Sequence, residues 1–65
     1  MSPPLADIRA AMAIEVLARR AGTCLFVWKG EVYTLRPKKH SNYLRTLCER
    51  YHDAIIWLCE ARASE

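Results

Sequence analysis

Glycine is scarce in this chain. Gly22 and Gly30 are its only two among 65 residues. A glycine-rich phosphate loop needs several close together, so nucleotide-binding motifs of that kind are excluded. No apolar run approaches the ~20 residues that span a bilayer, and no charged segment followed by an apolar run opens the chain as a secretory leader would. Paired carboxylates that would project from one strand or turn are absent too. Cys24, Cys48 and Cys59 are odd in number and far apart, which argues against a secreted disulfide framework. The expectation is a reduced, cytoplasmic protein outside the membrane, with its thiols serving as small core residues.

Metal and nucleophile chemistry are equally thin. Cys24, Cys48, Cys59, His40 and His52 are the candidate ligands. None forms the C-x2-C pair that structural zinc sites favour. Cys48 and His52 lie four apart, one helical turn, with Asp53 adjacent. Cys48 falls mid-way along an apolar face, however, where thiols are inert. A chain this short has little room for a substrate cleft. No catalytic residue, metal or cofactor is therefore expected, and the chain reads as a non-enzyme.

What the chain has in quantity is apolar side chains. They make up 52% of the residues, against a net charge of only +3. That balance excludes disorder. A domain of this size buries only about 60% of its unfolded surface, so some apolar surface is left over, and such surface marks association sites.

The pattern predicts one α+β domain over residues 1–65 in the order α-β-β-α, an antiparallel hairpin packed against two helices. Ser2 as N-cap and Pro3 at the first helical position open a helix over 3–21. Asp7 is early, Arg19 and Arg20 are late, and Gly22 supplies a left-handed stop. Two apolar, β-branched and aromatic runs flank Lys29-Gly30, predicting a hairpin over 23–36. A two-residue loop sets Trp28 opposite Glu31 and Phe26 opposite Tyr33. A three-residue bulged loop sets Phe26 opposite Val32. The sequence leaves both open, and the slip swaps the buried face. Pro37 ends the second strand. Ser41 or Asn42 caps a helix over 42–62, in which Leu44, Leu47, Cys48, Tyr51, Ala54, Ile55, Leu58 and Cys59 form one apolar face.

Three features fall outside that scheme. The first helix carries two apolar stripes, Leu5, Ile8, Met12 and Val16 in one and Ala10, Ala13, Ile14, Leu17 and Ala21 in the other. Arg9 and Arg20 separate them on one side, Asp7 and Glu15 on the other. One stripe serves its own core; the other is either a contact for a partner or a plain Ala-rich surface. In the second helix Ile56 and Trp57 fall among Arg45, Glu49, Arg50, Asp53 and Glu60. Trp28 sits beside the hairpin turn. Ile14, Leu17, Trp28, Ile56 and Trp57 are thus the expected protein-interface residues. The open edges of the hairpin add a reason to expect self-association, most simply as a two-fold dimer.

The stretch "RPKKHSNYLR" supplies a second expectation. Arg36, Lys38, Lys39 and Arg45, with His40 and a stackable Tyr43, make an acid-free basic segment at a helix start. That is a footprint for nucleic acid, though the other cations are scattered among seven acids and no helix-turn-helix spacing is present. The α-β-β-α order and the "LADIRAAM" segment resemble small phage head–tail joining proteins. The resemblance implies an adaptor. The sequence thus predicts a small regulator, inhibitor or adaptor that docks on another protein, with a nucleic-acid-binding regulator as the alternative.

Overall fold

The computed structural model describes residues 2–35 and 42–64. Pro37 and Ser41, expected to end a strand and cap a helix, lie outside them. The elements run α1 (Leu5–Arg20), β1 (Leu25–Trp28), β2 (Glu31–Thr34), α2 (Asn42–Arg50) and α3 (His52–Ala63). The fold is α+β, a two-stranded antiparallel hairpin packed with helices, as the sequence pattern predicts.

Helix α1 begins later than expected. Pro4, at φ −56° and ψ 147°, is its N-cap, and no side chain caps it. Ser2 and Pro3 each precede a proline, which disfavours helical backbone at both. The Pro4 carbonyl instead accepts the Asp7 and Ile8 amides at 3.0 and 3.1 Å. The other end is a Schellman motif. Gly22, at φ 80°, donates to Arg19 at 3.0 Å, and the Thr23 amide reaches back to Ala18 at 3.0 Å. This closes the orphan carbonyls of the last turn and aims the chain directly into β1. Buried Thr23 then donates its hydroxyl to the Leu35 carbonyl, pinning the helix exit to the far end of the hairpin.

The register is that of the two-residue loop: Trp28 pairs with Glu31, Val27 with Val32, Phe26 with Tyr33 and Leu25 with Thr34. Lys29 and Gly30 have φ of 51° and 77°, the paired positive values of the turn that suits strand twist. A Cβ at Gly30 would meet nothing within 4 Å. Gly30→Ala therefore tests backbone strain without a clash, and it should cost about 1–2 kcal/mol in chemical denaturation.

The second predicted helix is two. Tyr51, at φ −110° and ψ 28°, separates α2 from α3, with neither proline nor glycine to blame. Hydrogen bonding continues through the break: the Tyr51 amide donates to Leu47 at 3.0 Å and its carbonyl accepts from Ile55 at 3.0 Å. Nothing in the local residues explains the interruption. The apolar face survives it, because Leu44, Cys48, Ala54, Ile55 and Leu58 share one buried cluster with Ala11, Ile14 and Ala18 of α1. Leu25 and Val32, on the inner hairpin face, close that cluster from the other side. Helix α3 is the hub, packed against α1, α2 and both strands. A 2.9 Å ion pair from Arg62 to Glu15 ties its end to α1.

Candidate interaction surface

The buried line of α1 falls between the two expected stripes. Ala11, Ile14 and Ala18 are buried. Leu5, Met12 and Val16 are 62%, 47% and 37% exposed, and they lie roughly 110–150° around the helix from the Ala11–Ala18 line at about 100° per residue. Ile14, expected at a partner interface, is a core residue at 2% exposure. The inward face lies between the two stripes, on the side of Asp7 and Glu15, and takes only Ile14 from the second. Leu17 sits to one side of that face, at the margin of exposure.

Ile56 and Trp57 also differ from expectation, since neither is exposed. Trp57 packs against the core cluster and lines a shallow pocket with Ser2, Pro3, Pro4, Asp7 and Asp53. The helical phase runs through the break, since Leu47, Tyr51 and Ile55 stay joined by backbone hydrogen bonds. Helix α3 is instead packed by α1, α2 and both strands, so side chains off its main apolar face are covered too.

Trp28 is exposed as expected, at 57%. It is not alone. Phe26 and Tyr33, paired across the ladder, stack at 5.5 Å between centroids, and Trp28 meets Tyr33 edge-on at 6.2 Å. The Lys29 ammonium lies 4.4 Å over the Trp28 ring. Phe26, Tyr33 and Leu35 were not legible as surface residues while the register was open. Once Phe26 faces Tyr33, strand alternation puts all of them on the face turned from the helices.

Of the basic segment, Arg36, Lys38, Lys39 and His40 lie outside the described residues. Tyr43 is 69% exposed at the start of α2. Arg45 is exposed and spans 3.5 Å to Glu49 one turn on, a surface pair of small energetic consequence.

The thiols sort by depth. Cys24 is exposed, Cys48 buried and Cys59 between. Burial, and the nearby Glu49, push the Cys48 thiol above its ordinary value. Burial does the same for Cys59, helped by Glu15 and Glu60 and opposed by Arg62. The neutral thiol is thus favoured in the fold. That stability is complete below the ordinary thiol pKa of 9.0 and is lost as pH rises through the raised value, because the unfolded chain ionises first. In a labelling time course with an aromatic disulfide at neutral pH, one equivalent should react fast at Cys24. Cys48 should follow only on unfolding.

The His52 ring lies between two acids. Its Nδ1 is 3.3 Å from Asp53 and its Nε2 is 3.4 Å from Glu31 of β2. Among the described residues, no three His, Cys, Asp or Glu side chains gather where they could hold a metal ion. Nor, among these residues, is any helix long and apolar enough to cross a membrane.

The fold and surface define a class, a small α+β domain with an uncovered helix stripe and an uncovered aromatic sheet face. No family model, curated protein or solved structure matches the chain.

Proposed function

We propose that this is a small, non-catalytic, cytoplasmic protein that works by docking on another protein, as a regulator, inhibitor or adaptor, and that it self-associates. The observation that carries the reading is the Leu5–Met12–Val16 stripe, exposed on the side of α1 away from the core. Arg9, Arg19 and Arg20 are exposed on the same helix, giving the apolar stripe a charged rim of the kind found around docking faces. A helix that needed only its own core would carry one apolar stripe.

Met12→Glu tests this directly. Met12 is 47% exposed, so the substitution should leave helicity and melting unchanged while placing a charge at the centre of the stripe. Light scattering at micromolar concentration should read a dimer for the parent and a monomer for the variant. Protein capture from the native host should be lost in parallel. A parent that is cleanly monomeric and captures nothing, or a variant that associates as well as the parent, would overturn the reading.

A further inference from the structure

The outer hairpin face is a separate surface. Helix α1 packs on α3 and α2, while the hairpin packs on α3 through Leu25 and Val32. The opposite face carries, in ladder order, Cys24 with Leu35, Phe26 with Tyr33, and Trp28 with Glu31. Leu35, Phe26, Tyr33 and Trp28 are 55%, 38%, 41% and 57% exposed. Half-open rings on one sheet face call for an occupant.

Two properties select it. The first is area. At these exposures the three rings present roughly 300 Å², so two copies face to face would bury roughly 600 Å², about half the low end of a stable protein interface. Ring-to-ring pairing of two hairpins is thus short of a stable interface by itself. The second is charge. Lys29 stands at the turn end, with its ammonium over Trp28. At the open end, exposed Arg19 lines a hollow with Glu15, Cys24, Leu25 and Arg62, in which Arg62 pairs with Glu15 and, among the described residues, Arg19 pairs with no acid. Glu31, the acid of the ladder on this face, is 3.4 Å from His52. The chain as a whole carries +3.

We propose that this face binds single-stranded nucleic acid. Unpaired bases stack on Trp28, Tyr33 and Phe26, and the sugar-phosphate strand runs from Lys29 toward Arg19. Aromatic platforms between cations hold single strands because every base offers a π-face. A duplex keeps its base faces covered, and this ribbon's rings point into no groove. The site is distinct from the α1 stripe, and a chain with both surfaces would join a protein to a strand.

The test is fluorescence anisotropy with the full chain, a labelled oligo-dT of about 20 nucleotides and a mixed-sequence duplex of equal length, at low and physiological salt. The single strand should bind at least about tenfold tighter than the duplex. Trp28→Ala and Tyr33→Ala should each weaken it by about tenfold, the scale of one lost base stack. Trp28→Phe should retain most of the affinity, and Lys29→Ala should flatten the salt dependence. Every variant should melt like the parent; one that does not is replaced by its Phe or Gln counterpart. No binding at low salt, equal affinity for duplex, or indifference to both Trp28→Ala and Tyr33→Ala would overturn the proposal. So would a result in which Trp28→Ala abolishes capture of a protein but not strand binding, which would make the face a protein surface.

Discussion

Ile55→Ala should remove about 2–5 kcal/mol of stability, a large share of the roughly 3–10 kcal/mol that a chain of this size commands. Ile55 is 0% exposed and, with Ile14, is one of the two largest fully buried side chains. The rest of the buried cluster includes three alanines, Ala11, Ala18 and Ala54. Alanines let α1 and α3 approach closely, but they bring little volume and cannot swing into a vacated space. The cavity left by Ile55→Ala therefore stays open, and the cost falls toward the upper part of the range. Ile55→Val should lose only about 0.5–1.5 kcal/mol. Met12→Ala, equally apolar and equally helical but exposed, should stay within about 0.5 kcal/mol. Urea unfolding followed by circular dichroism ranks the three. Equal losses at Ile55 and Met12 would sink this account of the core.

Trp57→Ala should cost about 2–3 kcal/mol, less than truncation of a fully buried tryptophan. Its ring is half-buried on the core cluster and borders a hollow shared with Pro3, Pro4 and Asp7. Removing it strips cover from Ala54 and loosens the seating of the segment that leads into α1. Trp57→Phe should recover more than half of the loss. The measurement has a built-in reporter, because Trp28 and Trp57 are the only tryptophans. Trp57→Ala should leave only the red-shifted emission of exposed Trp28. If Trp57→Ala instead kept parental stability and lost only association, the sequence expectation of a docking tryptophan would be restored.

The fold was largely readable before any coordinates. Periodicity placed α1, because its apolar residues recur without an internal glycine or proline. The Lys29-Gly30 pair placed the hairpin within two registers. The face joining Leu44, Cys48, Ile55 and Leu58 was read as one, and one cluster buries them. The site was less readable, for three physical reasons. The buried line Ala11–Ile14–Ala18 runs between the two apolar stripes of α1, and two of its three residues are alanines that belong to neither stripe. A one-residue uncertainty at the turn hid the grouping of Phe26, Trp28 and Tyr33. Helix α3 is packed by α1, α2 and both strands, and the wheel of one helix does not show that neighbours cover Ile56 and Trp57 off its main apolar face.

The packing of α1 on α3 has a consequence during synthesis. These are the first and last elements of the fold, and the Glu15–Arg62 contact spans 47 positions. Helix α1 can form as soon as it emerges, but the surface that buries Ala11 and Ile14 is incomplete until α3 has been made. At about 5–20 residues per second, the 40-odd intervening residues take roughly 2–9 s. For that interval both apolar sides of α1 are bare on the nascent chain. The stripe that stays exposed in the finished protein is then only half of what a ribosome-bound chaperone would meet.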